Sequence, residues 1–193
     1  MPWEKSFDED EVVEKAMEVF WQKGFEPASM ADLITGMGIT RGSLYNAFGG
    51  KEQLFVKALL KYDRDHSRAL MAEMAALDDP LRAIAALFDA IVAEAVADAG
   101  KKGCLLVNTA SELTVHGEQI NGIVRNALSD FEAFFLERIA AAQARKQIPA
   151  SLDAAATAKG LMAMLVAIRV TSRGMFDEAS LKTIADQALR LLR

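Results

Sequence analysis

Apolar side chains recur along this chain at helical spacing, and no stretch shows the strict alternation of a strand. Val12, Ala16, Val19 and Phe20, widened by Val13 and Met17, predict a first helix from about Asp8 to Lys23. Its start is rich in acids (Asp8, Glu9, Asp10, Glu11), which suits the positive end of a helix dipole. Gly24 ends it. Ser29 then reads as an N-cap with Asp32 three residues on as its capping-box partner, and Leu33, Ile34 and Met37 face inward. Gly38 supplies a turn, and Thr40 caps a third short helix, Arg41 to Phe48. On it Leu44 and Phe48 point one way, Gly42 and Asn46 the other, with Ser43 and Tyr45 on the flanks.

Gly49-Gly50 breaks the pattern, and a long helix begins at Lys51. Leu54, Phe55, Ala58, Leu59, Tyr62, Ala69 and Leu70 carry it to about residue 75. Five further helices are predicted: Leu81–Ala99, Cys104 to about Val115, Gln119 to about Lys146, Asp153 to about Arg173, and Glu178–Leu192. The expected fold is all-α, with a three-helix N-terminal unit over residues 1–50. A helical bundle over residues 51–193 follows, and the Lys51 helix links the two.

Composition narrows the functional classes. The four prolines (Pro2, Pro27, Pro80, Pro149) sit at the chain start or at predicted helix boundaries. The single cysteine excludes an internal disulfide and fits a reducing cytosol. The start shows no basic flank leading into an apolar run, and the uncharged run Gly160–Ile168 is about half of the ~20 residues a membrane span needs. A cytoplasmic protein without membrane contact is expected. The net charge of −5 argues against a general nucleic-acid binder. Residues 39–57, however, hold Arg41, Lys51 and Lys57 against Glu52 alone, and phosphates sense local charge within ~8–10 Å.

The run from Ser29 to Tyr45 is a capped helix, a glycine turn and a second capped helix, the spacing of a DNA-reading helix-turn-helix. Two helix N-termini, at Ser29 and Thr40, offer backbone N–H groups to phosphates. Gly42 lets the helix approach DNA closely, and Tyr45 can reach a phosphate or a thymine methyl. Lys51 opens the next helix where a phosphate would lie. The DNA-binding candidates are Ser29, Thr40, Arg41, Gly42, Ser43, Tyr45, Asn46 and Lys51.

Over residues 8–60, and above all in Phe25-Glu26-Pro27-Ala28-Ser29-Met30 and Ile39 through Phe55, the chain resembles the TetR family of bacterial one-component regulators. The Tyr45, Phe48, Lys51-Glu52, Leu54-Phe55 pattern carries the resemblance, and Gly103 through Asn108 looks like the sensor domain of one branch. The resemblance implies that Thr40, Arg41, Ser43, Tyr45 and Lys51 meet DNA. It implies a homodimer on double-stranded operator DNA, released by a small-molecule effector. Two departures stand out: Lys5 is the only base where the family often has a basic arm, and Asn46 replaces a frequent aromatic or His.

For the effector, Asn108, Glu112 and His116 are spaced four apart, with Cys104 just before them. They fit the polar lining of a pocket or a solvated helix face equally well. Phe88, Phe131, Phe135 and Met162 are candidate apolar walls, though the same spacing serves core packing. A largely apolar ligand with a polar handle is expected. Cys104 beside Lys101 and Lys102 also raises a redox-responsive regulator as an alternative. A helical small-molecule-binding protein without a DNA role is another. His66, Cys104 and His116 lack metal-ligand spacing, no cofactor is implied, and no catalytic motif is present. For dimerisation, Ala156, Gly160, Ala163 and Ala167 form one small-residue stripe. Leu181, Ile184, Ala185, Ala188 and Leu192 form a second, apolar one, a pattern that packing inside one protomer would use equally.

Overall fold

The computed structural model describes residues 7–193; Lys5 lies outside them. Among the described residues the regular structure is helical throughout: α1 (Glu9–Lys23), α2 (Met30–Met37), α3 (Arg41–Phe48), α4 (Lys51–Tyr62), a π-helical turn (Asp63–Arg68), α5 (Ala69–Ala75), α6 (Pro80–Ala97), α7 (Leu105–Ala110), α8 (Glu118–Ala144), α9 (Ala154–Thr171) and α10 (Glu178–Arg190).

The helix starts are written in side chains. Asp8 accepts from the Asp10 and Glu11 amides. Asp79, Asp153 and Asp177 cap α6, α9 and α10 in the same way, with Pro80 in the first turn of α6. Each such cap contributes about 0.5–2 kcal/mol. At α2 both capping-box bonds form: the Asp32 amide donates to Ser29 Oγ at 3.1 Å and the Ser29 amide donates to Asp32 Oδ2 at 3.0 Å. Gly38 closes α2 at φ +69°, a left-handed conformation that a side chain would strain.

Two cores hold the chain together. The first joins α1–α4 around Phe20, Leu33, Leu44, Leu54 and Phe55. It continues without a break into Leu105, Leu106 and Val107 of α7 and into Ile120 and Val124 of α8. Burying one such side chain contributes roughly 1.5–3 kcal/mol, so the N-terminal unit and the bundle share stabilising contacts. The second core packs α6, α8, α9 and α10 around Phe88, Phe135, Leu161 and Leu165.

Three expectations change. The Lys51 helix runs to Ala75, but through a π turn. Asp63 is buried, and Arg68 five residues later donates to its carboxylate at 2.7 Å. A π turn brings residues i and i+5 together, and Arg68 also reaches Asp130 of α8 at 2.6 Å. Helix α7 stops at Ala110 instead of about Val115. Beyond it, Asn121 donates to the Leu113 and His116 carbonyls and holds the segment as turns. Leu181, Ala185, Ala188 and Leu192 are buried inside the protomer, because α10 lays that stripe against α6 and α9. The α9 stripe is different: Ala156 and Ala163 remain exposed and Gly160 and Ala167 half-buried. Helix α9 is long and apolar enough to cross a membrane, and here it packs on α8 and α10.

Candidate DNA interface and effector cavity

Helices α2 and α3 present one polar surface, on which Ser29, Thr40, Arg41, Gly42, Tyr45 and Asn46 are exposed, while Ser43 and Lys51 are half-buried. The local chemistry pre-arranges these groups. Thr40 Oγ1 accepts from the Ser43 amide at 3.1 Å and donates to Ser43 Oγ at 3.0 Å, fixing the start of α3. The Arg41 guanidinium lies 5.7 Å over the Tyr45 ring, which is 44% exposed although large and aromatic. A Cβ on Gly42 would meet nothing nearer than Thr40 Oγ1 at 3.9 Å. The fold therefore does not require glycine there, and the backbone at that point is open to approach from outside. Lys51 Nζ donates to the Glu26 carbonyl at 3.1 Å and sits 4.7 Å over the Phe25 ring. A phosphate at this point would meet an ammonium already positioned.

A cavity of about 900 Å³ lies between α1, the π turn, the end of α6 with the loop after it, and the end of α9. Trp21 and Tyr62 meet edge-to-face at 5.0 Å, and His66 stacks on Tyr62 at 4.7 Å. Lys102 Nζ lies 4.1 Å over the Trp21 ring and pairs with Glu18 at 3.0 Å. Arg169, buried near the end of α9, pairs with Glu94 at 2.8 Å. Burial pushes the Tyr62 phenol well above its usual range, and the neighbouring Cys104 thiol adds in the same direction. Burial opposes the charge on Arg169, yet Cys104, Tyr62 and Glu94 together hold its pKa above the ordinary value, so it stays a cation.

These two surfaces belong to a known pattern. The family model described as bacterial regulatory proteins, tetR family, matches residues 12–58. The one described as the tetracyclin repressor-like C-terminal domain matches residues 80–188. The chain belongs to the TetR family. The HTH-type transcriptional repressor ComR of Escherichia coli (strain K12) is 30% identical over 191 residues, covering 97% of this chain and 90% of that protein. Among solved structures, a cysteine mutant of the TetR family transcriptional regulator CifR, complexed with 26bp double-strand operator DNA, superposes with a TM-score of 0.87. It is 28% identical and the match covers 99% of this chain and 100% of that one. A TetR family regulator from Agrobacterium tumefaciens, 23% identical with a TM-score of 0.85 over 95% of this chain and 96% of that one, shares the fold. The protein is a DNA-binding transcriptional regulator of this family, whose members are not enzymes.

In this TetR-family chain the eight residues expected at the effector site fall into separate groups. Phe88 and Phe135 stack at 5.8 Å in the second core, with Phe131 buried beside them and Met162 half-buried against the same cluster. Cys104 is 6% exposed and lies next to Tyr62 and Arg169, and this burial limits the access of dissolved oxidants to the thiol. Asn108 donates to the Lys102 carbonyl at 2.8 Å and accepts from Arg173 at 3.2 Å. Asn108 and Glu112 border a small crevice of about 100 Å³. Because α7 ends early, Asn108, Glu112 and His116 do not share one helical face. Glu112 is exposed, while His116 is buried against Phe25 and Phe55 with ring centroids 5.3 and 6.0 Å away. None of the eight lines the 900 Å³ cavity. Its own walls include Trp21, Tyr62, His66, Glu94, Lys102 and Arg169. The sequence offered one signal toward it, an arginine directly after the apolar run Gly160–Ile168 of α9. Among the described residues no group of three or more His, Cys, Asp and Glu side chains is arranged to hold a metal.

Proposed function

We propose that the protein is a cytoplasmic, homodimeric repressor that binds a palindromic operator and is released by a small-molecule effector. The observation that carries this reading is the α2–α3 surface, where two capped helix N-termini, Tyr45 and Lys51 converge around a backbone left bare at Gly42. Thr40, Arg41, Gly42, Ser43, Tyr45 and Asn46 face the major groove and its rims, while Ser29 and Lys51 meet phosphates. ComR is named a repressor and CifR is seen on operator DNA, and both support the assignment. One helix-turn-helix reads few base pairs, so two-fold pairing through the exposed small residues of α9 completes the reader. Residues 1–50 act as the reading head and residues 51–193 as sensor and dimer scaffold, coupled by the Lys51–Ala75 segment.

The test is to select genomic fragments bound by the purified protein and footprint them. The reading expects two protected half-sites one helical turn apart, about 34–36 Å centre to centre. Protection of a single half-site, or none at low salt, would overturn it.

A further inference from the structure

The cavity joins the reading head to the sensor, and its lining specifies a ligand. At about 900 Å³ it has the size of a small-molecule site, and its walls come from both functional parts: Trp21 from α1, Glu94 and Arg169 from α6 and α9. Trp21, half-buried under Lys102, and His66, exposed and stacked on the buried Tyr62 at 4.7 Å, bring aromatic surface to the wall, and a flat ring that displaces Lys102 would stack on Trp21.

Charge decides what the ring carries. The Glu18 carboxylate is engaged by Lys102, and Asp98 accepts from the Gly103 amide at 3.1 Å. The remaining pair is unequal. The Arg169 side chain is 10% exposed, whereas its partner Glu94 is 49% exposed. A cationic ligand would have to take Glu94 from Arg169 and strand a buried guanidinium, which is strongly unfavourable. A neutral ligand leaves the pair intact and gains no ionic contact. An anionic ligand exchanges one carboxylate for another on Arg169, while Glu94 swings into water at little cost.

We infer that this cavity is the effector site and that it takes a small planar carboxylate, which replaces Glu94 on Arg169 and stacks its ring against Trp21. The inference rests on the effector-released regulator proposed above. A ring in this position competes with Lys102 for the Trp21 face. It also loads the hydrogen bond from Trp21 Nε1 to the Gly103 carbonyl, which ties head to sensor.

The experiment uses the full chain in a Trp3→Phe background, so that Trp21 is the sole indole. Its fluorescence is titrated with benzoate, 1-naphthoate and indole-free arylacetates, with the matching amides and amines as controls. Carboxylates are expected to give saturable changes and the controls none. Glu94→Gln removes the competitor and is expected to tighten carboxylate binding by ~10-fold or more. Arg169→Met is expected to abolish the preference for carboxylates, and if it fails to fold, Glu94→Gln decides alone. Equal binding of an amide and its acid, tighter binding of the amines, or unchanged carboxylate affinity in Glu94→Gln would each overturn the inference. So would the lack of any saturable carboxylate response. A gel shift with ligand-free protein keeps the two readings apart. Operator binding without carboxylate binding contradicts only the ligand class, and carboxylate binding without operator binding supports the ligand class and contradicts only the regulator.

Discussion

The Trp21 indole N–H donates to the Gly103 carbonyl at 2.9 Å, linking α1 of the reading head to the loop before α7. A second tie is built from Phe25, Phe55 and the buried His116, and a third is Lys102 pairing with Glu18 of α1 at 3.0 Å. The head is thus held by the sensor at named points, and a change in the cavity beside Trp21 has a mechanical route to the DNA surface. Coupling between the sites is by necessity reciprocal: whatever factor the effector takes from operator affinity, the operator takes from effector affinity. Trp21→Phe keeps the ring and removes the bond, which costs about 1 kcal/mol of stability and lowers both factors together. Calorimetric titration of effector with and without operator, in wild type and variant, checks both. An effector affinity that operator leaves unchanged, or a factor that Trp21→Phe does not lower, would contradict the coupling.

Two glycine-to-alanine changes are expected to act in opposite directions. A Cβ on Gly36 would lie 2.5 Å from Val19 Cγ2, where α2 crosses α1, and a valine methyl has little freedom to move. Gly36→Ala should destabilise by about 1–3 kcal/mol. Gly122 in α8 has nothing within 4 Å of the same position, and Gly122→Ala should stabilise by about 0.5–1 kcal/mol. Urea denaturation of the two variants measures the contrast.

Acid should loosen the ion pairs around Lys61 and between α1 and α2. Lys61, whose side chain is 8% exposed, pairs with Asp10 at 2.7 Å, Asp65 at 3.0 Å and Glu14 at 3.4 Å. Hydrogen bonds from Arg64 and then Lys61 lower the Asp65 pKa to about 2, and Lys23 with Ser29 lowers that of Asp32 to about 2. A carboxyl whose folded pKa is depressed adds stability above its unfolded pKa, near ~4, and loses it as pH falls through the folded value. Melting temperature should therefore fall between about pH 4 and about pH 2, and Asp65→Asn should flatten that limb. An unchanged limb would show that the pair contributes nothing.

Much of this fold was legible in the sequence because it is written in local chemistry. Ser29 with Asp32, Thr40, and the breaks at Gly24, Gly38 and Gly49-Gly50 place α1–α3 to within a residue or two. The π turn was not legible, since Asp63 and Arg68 look like ordinary surface charges until Asp130 of α8 is beside them. The cavity was hidden for a related reason: Trp21, Glu94 and Arg169 are far apart in the chain and meet only through packing. Phe88, Phe131 and Phe135 illustrate the converse, because helical spacing marks an inward face without saying whether it meets a ligand or another side chain.

Dimerisation through α9 gives a further expectation. Ala163 is exposed beside Gly160 and Ala167, so Ala163→Glu should place like charges across the two-fold axis without disturbing either core. Light scattering should then report a monomer, and operator affinity should drop by ~100-fold or more as the two heads lose their linkage. A variant that remains dimeric would place the interface elsewhere.

The most direct measurement is operator affinity against salt for wild type, Tyr45→Ala and Lys51→Ala, each shown to be folded. Wild-type binding should weaken steeply as salt rises, because phosphate contacts release counterions. Lys51→Ala should weaken binding evenly across operator variants and flatten the salt slope by about one unit, while Tyr45→Ala should weaken it at any salt. Two folded variants that bind operator as tightly as wild type, with the same slope, would contradict the assignment of the α2–α3 surface as the DNA reader.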